Sequence, residues 1–364
     1  MKIGIFGGSF DPIHKGHLLV ASEAIKSLDL DYLYFVPANK NPFKKDKSYA
    51  SNLHRINMIK LAIKDNPKMQ ISEFETNRNC ISYTIDTVKY FRNKFKDDDL
   101  YLLIGSDNLN SLHKWKDIDE IAKLVKIVIF KRQGYKSDIN LKKYNCLLLN
   151  NEMFNFSSTE YKKGNFDMVS DEIQSYIGSN FLYFSDIARS FIKSNDRYAH
   201  LKYTASMAKQ IAKVTNPNDK DFIRRAYEGG YMHDITKEWS VTKANDFLAK
   251  YGIENLPFYK LHQNTAYYFL RDIYKYNDEE VLHAIKVHTT LDLELSLMDK
   301  IIYMADKLCK GRTFKGVQEI RNMLNNDFNE CFKETILVCS INFNKEKGIE
   351  FSEDQKKIYN KWTK

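Results

Sequence analysis

Several absences narrow the field before any motif is read. The five cysteines, Cys80, Cys146, Cys309, Cys331 and Cys339, form no CxxC pair and no metal-ligand spacing. That argues against a disulfide framework and suits a reducing compartment. No run of about eighteen apolar residues occurs, as a spanning helix would require, and the first residues lack the basic and apolar regions of a signal peptide. A cytosolic protein without a membrane partner is the expectation. Dense basic tracts are also missing. The formal charge of +9 and pI near 9.0 suit polyanionic partners such as nucleotides. The charge is spread, however, and KKDK at 44–47 is the nearest approach to a run. A solvated surface explains that distribution better than a nucleic-acid patch does. Internal repeats and low-complexity tracts are lacking.

What is present fills two domains. The chain has 364 residues, 43 % of them hydrophobic, enough for two cores. Up to about residue 185, strand-like runs alternate with amphipathic helices: YLYFVPA at 32–38, a helix over 54–65, MQISEFE at 69–75, DLYLLIGSDN at 99–108 and KIVIFKR at 126–132. That order predicts an α/β Rossmann-like parallel sheet over residues 1–185. From 186 to 364 the strands stop, and RYAHLKYTASMAKQIAKV, DKDFIRRAYEGGYMHD, DEEVLHAIKVH and LMDKIIYMADKL all read as helices. An all-α bundle is predicted there, with the charged end, from Lys345, either a surface helix or a frayed tail.

The first concentrated chemistry is GGSFDPIHKGH, Gly7 to His17, between a strand and a helix. Ligands bind beyond the carboxyl ends of parallel strands, and a glycine turn at a helix start offers N–H groups and a positive dipole end to a phosphate. His14 and His17 add two imidazoles, so the turn suits a triphosphate. The stretch resembles the signature of the HxGH nucleotidyltransferases, with His14 and His17 as its histidines. Later segments narrow the likeness to nicotinate-nucleotide adenylyltransferases: VPANKNPFKK at 36–45, SYTIDTV at 82–88, LIGSDNLNSLHKW at 103–115 and FSSTEYKKG at 156–164.

That resemblance implies transfer of AMP from ATP to nicotinate mononucleotide with Mg²⁺. It implies phosphate contacts from His14 and His17, assisted by Lys44 and by Ser157, Ser158 and Thr159. Asp107 falls where the family binds the ATP ribose or metal, and Trp115 where it stacks the nicotinate ring. Gly7, Gly8, Ser9, Phe10, Tyr83, Thr84 and Gly105 complete the expected substrate contacts. Two positions depart from the pattern: Phe43 replaces a histidine, and Lys162 replaces an arginine, which keeps the charge but loses the planar fork.

The second half holds five of the nine histidines. His200, His233 beside Asp234, His262, His288 and Asp306 mix imidazole and carboxylate, a set suited to iron, manganese or zinc, and Asp234 could bridge two ions. His283, five residues before His288, points about 140° away from it on a helix and is left out. The series H…HD…H…H…D resembles the HD phosphohydrolases, and more narrowly the YqeK family of symmetrical diadenosine tetraphosphate hydrolases. The resemblance implies His200, His233, Asp234 and Asp306 around one ion, and His262 and His288 with bridging Asp234 around another, with iron or manganese as the metals. It gives Lys237 and Arg312 phosphate-neutralising roles. Leu291 stands where a glycine is usual, and DKLCKGR at 306–312 replaces a more acidic, proline-containing stretch.

The expectation is therefore a bifunctional enzyme, with His14, His17, Asp234 and Lys237 as the catalytic candidates. Its substrates would be ATP, nicotinate mononucleotide and diadenosine tetraphosphate, and a homo-oligomer is compatible with either half. The alternative is a helical half that acts on another nucleotide or nucleic-acid phosphate, or that senses nucleotides or binds RNA without catalysis.

Overall fold

The computed structural model describes residues 1–39, 50–78, 81, 83–132, 139–153 and 155–364. Two compact units divide the chain, Met1–Tyr176 and Ile177–Lys364. The division falls nine residues ahead of the boundary expected at 185.

In the first unit, six parallel strands alternate with helices: β1 (Lys2–Gly8), α1 (Lys15–Leu28), β2 (Tyr32–Pro37), α2 (Asn52–Ile63), β3 (Met69–Ile71), α3 (Thr84–Lys94), β4 (Asp99–Gly105), α4 (Ile118–Leu124), β5 (Lys126–Phe130), α5 (Ile139–Lys143), β6 (Leu147–Leu148) and α6 (Ser158–Lys162). A 3₁₀ segment, Ser106–Lys114, follows β4. Strand order in the sheet is β3-β2-β1-β4-β5-β6. The register pairs Ile3 with Leu100 and Ile5 with Leu102, so alternate residues of neighbouring strands face the same core. On that face Ile3, Ile5, Leu100, Leu102, Ile127 and Ile129 are buried with Val88, Phe91 and Ile121 from the covering helices. Phe6, Phe35 and Phe130 pack as an aromatic group on the opposite face.

Helix α7 (Asp171–Ser179) leads into the second unit, which contains α8 (Phe184–Phe191), α9 (Asn195–Thr215), α10 (Lys220–Met232), α11 (Val241–Ala249), α12 (Phe258–Tyr268), α13 (Glu279–Val287), α14 (Leu297–Leu308), α15 (Val317–Met323), α16 (Phe328–Ile336), α17 (Phe343–Glu346) and α18 (Glu353–Thr363). Short π-helical turns, Phe269–Tyr274 and Leu337–Asn342, extend α12 and α16. No strand occurs among the described residues after Leu148. The charged end is a helix rather than a tail, because Gln355 and Tyr359 are buried.

Helices α9 and α10 cross closely, and glycine permits it. A Cβ on Gly230 would lie 2.9 Å from the Cα of Ala205 and 2.9 Å from the carbonyl oxygen of Thr204. Backbone atoms cannot move aside as a flexible side chain can, so a methyl there separates the helices. The substitution Gly230→Ala should therefore lower stability by about 1–3 kcal/mol. An unchanged urea midpoint and slope would show that the crossing tolerates the methyl.

Candidate active sites

In the first unit the chain leaves β1 for β2 on one side of the sheet and later leaves β4 for β5 on the other. The carboxyl ends of β1 and β4 thus frame the crevice where the strand order reverses. A cavity of about 1130 Å³ opens there. Gly7, Gly8, Ser9, Phe10, His14, His17, Tyr83, Thr84, Gly105, Asp107, Trp115, Ser157, Ser158 and Thr159 all line it. Lys44 and Phe43 lie outside the described residues.

His14 and His17 stack with ring centroids 3.6 Å apart and planes 26° from parallel. The backbone N–H of His14 donates to Nδ1 of His17 at 3.2 Å, which places the His17 proton on Nε2. Gly16 between them has no room for a Cβ, which would fall 2.9 Å from the Cβ of Phe156. Burial, and secondarily the Arg132 guanidinium, lower the pKa of His14 to about 3. It is therefore neutral at pH 7, with its side chain facing the His17 N–H in a reciprocal capping box at the start of α1. The Ser158 hydroxyl donates to the Pro12 carbonyl at 2.9 Å, tying the closing motif to the histidine turn, while the Ser157 hydroxyl accepts the Glu160 N–H and caps α6.

Two cations fall where sequence reasoning did not place them. Lys162 does not line the cavity; its Nζ lies 2.6 Å from Oδ2 of buried Asp11. The charge of this lysine is paired with the turn that carries the histidines. Arg132 lines the cavity instead, with Nη1 3.3 Å from Oδ2 of Asp107. The only signal for it was its place just past the end of β5.

The second site gathers side chains from five helices. His200 comes from α9, His233 and Asp234 from the end of α10, His262 from α12, His288 from the end of α13, and Asp306 from α14. Nε2 of His262 and Nε2 of His288 each lie 3.4 Å from Oδ1 of Asp234, while Nε2 of His233 lies 3.5 Å from its Oδ2. Nε2 of His200 is 3.0 Å from Oδ1 of Asp306, and Nε2 of His233 is 3.8 Å from the same oxygen. His283 is elsewhere, paired with Asp299 at 2.9 Å. Outer contacts aim the rings: Nδ1 of His233 and of His288 meet the carbonyls of Gly230 and Ile285, at 2.9 and 2.6 Å, and Nδ1 of His200 lies 3.5 Å from Sγ of Cys309.

Lys237 and Arg312 both touch this cluster. Nζ of Lys237 is 2.9 Å from Nε2 of His262 and 3.5 Å from Oδ1 of Asp234, and Nη2 of Arg312 is 2.7 Å from Oδ1 of Asp306. Lys307, also against Asp306, was missed as a neighbour, since a lone lysine carries no spacing signal, whereas Cys309 lies beside His200, near the site as its place in DKLCKGR suggested.

The electrostatics suit a divalent cation. Burial lowers the pKa of His233 to about 3 and pushes that of His262 well down, so both are neutral. Burial opposes the charge on Asp234, but His233, Lys237 and His262 hold its carboxyl well below the usual range. Asp306 is likewise held ionised against its burial by Lys307, His200, His233 and Arg312. His200 is raised to about 9, because its contacts with Asp306 and Cys309 outweigh burial; cation binding would displace that proton. Nε2 of His233 and Oδ1 of Asp234 are buried with no hydrogen-bond partner among the described residues. Three overlapping groups, His200–His233–Asp234, His233–His288–Asp306 and Asp234–His262–His288, each bring their donor atoms within 4.8 Å of one another. An unpartnered imidazole nitrogen, with further imidazoles around two ionised carboxylates, fits a divalent metal.

A nucleotide-type α/β unit followed by a helical metal-binding unit defines the class. Residues 5–164 match the Cytidylyltransferase-like family and residues 197–311 match the HD domain. A Mycoplasma pneumoniae protein named a probable nicotinate-nucleotide adenylyltransferase/Ap4A hydrolase is 33 % identical over 307 residues, covering 84 % of this chain and 87 % of its own. The Bacillus subtilis nicotinate-nucleotide adenylyltransferase is 36 % identical over 188 residues, 50 % of this chain and 98 % of its own. A Clostridium acetobutylicum crystal structure, described as a predicted HD superfamily hydrolase involved in NAD metabolism, covers 49 % of this chain and 94 % of its own at 27 % identity, with a TM-score of 0.44. The chain belongs to the family of nicotinate-nucleotide adenylyltransferase/Ap4A hydrolase proteins. No helix among the described residues is long and apolar enough to cross a membrane.

The buried neutral state of His14 has a measurable consequence. Its pKa is near 3 when folded and near 6.5 when unfolded, so between those values the unfolded chain binds the extra proton and stability falls as pH falls. The window contributes up to about 1.4 kcal/mol per pH unit for one group. Stability of His14→Gln should fall less steeply than that of the parent from pH 6.5 to 4, whereas parallel curves would place His14 in contact with water.

Proposed function

We propose that the chain is a bifunctional enzyme. Its first half transfers AMP from ATP to nicotinate mononucleotide, giving deamido-NAD and pyrophosphate, and its second half hydrolyses diadenosine tetraphosphate to two ADP. Residues 1–185 and 186–364 carry the two activities. Mg²⁺ accompanies the ATP, and two iron or manganese ions serve the second half.

For the transferase, the stacked His14–His17 pair at the switch-point cavity carries the reading. A phosphate oxygen of the mononucleotide attacks the α-phosphorus of ATP, the new P–O bond forms, and the bond to the β-phosphate oxygen breaks to release pyrophosphate. The attacking phosphate is already anionic, so alignment and charge stabilisation matter more than a base. The Nε2–H of His17, fixed by the bond at its Nδ1, is a preorganised donor to a phosphoryl oxygen. His14 and the start of α6 at Ser157–Thr159 add further donors, and Asp107 and Trp115 orient ribose and nicotinate ring. Lys44 completes the phosphate contacts in this reading.

For the hydrolase, the position of Asp234 between His233 and the His262–His288 pair carries the reading. His200, His233, Asp234 and Asp306 would hold one ion, and Asp234, His262 and His288 the other. Two such ions, when bound, lower the pKa of a bound water and neutralise phosphoryl charge. Lys237 rests against Oδ1 of Asp234, and Arg312 against Asp306. Each would turn its charge towards the polyphosphate, favouring departure of ADP.

His17→Ala should reduce adenylyl transfer at least about 100-fold, in line with the loss of one oriented phosphoryl-oxygen donor, while leaving the melting temperature within a few degrees. Unchanged turnover would overturn the assignment. With Fe²⁺ or Mn²⁺ supplied without oxygen, diadenosine tetraphosphate should yield ADP alone, and Asp234→Ala should abolish both ion uptake and cleavage. Products of AMP and ATP would exclude symmetrical hydrolysis, and a fully loaded but inert chain would make the helical half a sensor or a hydrolase of another ester.

A further inference from the structure

His262 and His288 reach the cluster from different helices, yet their Nε2 atoms are 3.2 Å apart. The carbonyl contact at Nδ1 of His288 is local, so it orients a ring without fixing the spacing between α12 and α13. Gln263 does fix it. Its side-chain Oε1 accepts the Thr289 N–H at 3.2 Å, and its Nε2 donates to the Thr290 hydroxyl at 3.1 Å. One amide thus spans from the residue after His262 to the two residues after His288. The Thr289 hydroxyl lies 3.1 Å from Nε2 of His262 and closes the ring of contacts.

A second amide supports the same loop from further along the chain. Nε2 of Gln355 donates to the Thr290 carbonyl at 2.7 Å. Gln263 and Gln355 are only 4 % and 6 % exposed, so water offers little replacement for these bonds. Gln355 belongs to α18, which also meets the loop where Nε1 of Trp362 donates to the Asp292 carbonyl at 2.8 Å and Nζ of Lys361 pairs with Glu294 at 2.7 Å. This helix lies beyond the residues that match the HD domain.

We propose that Gln263 and Gln355 are positioning residues for the His262–His288 half of the metal centre, which makes the C-terminal helix part of that site's scaffold. The inference rests on the two-ion reading. Neither glutamine belongs to the ligand groups. Each acts through the backbone that carries His288, and Gln263 joins that backbone to the helix that carries His262. A centre whose ligand spacing is set by two buried amides should lose its second ion before its first.

The test is Mn²⁺ binding to the full-length chain by calorimetry, with the melting temperature of the metal-free protein measured in parallel. Gln263→Met keeps the length of the side chain and removes both bonds; Gln263→Glu keeps the acceptor for Thr289, and the Thr290 hydroxyl can reverse to donate. Expected for Gln263→Met is first-ion affinity within threefold of the parent and second-ion affinity weaker by about tenfold or more. Gln263→Glu should recover most of that loss. Gln355→Met, on a helix that carries none of the ligands, should weaken the second ion in the same direction and provides the test if Gln263→Met does not fold. Both methionine variants binding two ions as the parent does would overturn the clamp, and so would equal weakening of both ions, the mark of general loosening. A parent chain that takes up only one ion would overturn the two-ion reading itself, and the clamp with it.

Discussion

The helical unit depends on keeping one carboxylate, that of Asp234, charged and out of water. Isolated in a protein interior, such a group costs several kcal/mol, and only close partners offset that cost. Here Oδ1 faces His262, His288 and Lys237, and Oδ2 faces His233, all at 3.4–3.5 Å. Those distances exceed a good hydrogen bond, which leaves the carboxylate surrounded but not satisfied. Three helices, α10, α12 and α13, must converge to supply even this arrangement. The missing side chain at Gly230 belongs to the same requirement, because α10 brings Asp234 to the centre only by lying almost on the backbone of α9.

The two candidate sites answer similar phosphate chemistry with different architecture. In the α/β unit, the paired histidines are three residues apart, and one strand-to-helix turn sets their geometry through the bond from the His14 N–H to His17. Sheet topology then brings the β4 segment to them at the switch point. In the helical unit no local turn could bring the ligands together, so the site exists only when the bundle has folded. Loosening of the bundle should therefore disturb the second site more readily than distant loosening disturbs the first.

This difference decides what could be read from residues alone. Short-range patterns were readable: the alternation of strands and helices, the glycine turn, and the ligand series carried by its resemblance to a family. Element ends were read less well. MQISEFE suggests a strand to residue 75, yet β3 ends at Ile71, and DLYLLIGSDN yields extended backbone only to Gly105 before the chain turns into a 3₁₀ segment. Both overruns place polar residues where chain direction changes, and composition alone does not locate that turn. Arg132, Lys307 and Gln263 escaped notice because arginine, lysine and glutamine are common surface residues. Only the folded arrangement shows that Arg132 faces the cavity and that Gln263 is buried beside His262.

The departures from family pattern show that a position can keep its geometry while changing its chemistry. Leu291 follows the His288 turn with φ of 60°, in the left-handed region where a glycine is at ease. A leucine there bears a strain of about 1–2 kcal/mol. It is only 3 % exposed, and burying a leucine side chain contributes about 1.5–3 kcal/mol, enough to offset that strain. Its N–H still reaches the Val287 carbonyl at 2.7 Å and ends α13 as a glycine would. Lys162 offers the parallel case in the first unit, where a cation is retained but directed to Asp11. At Leu291 the backbone geometry is kept and offset by burial, and at Lys162 the charge is kept and met by an ion pair.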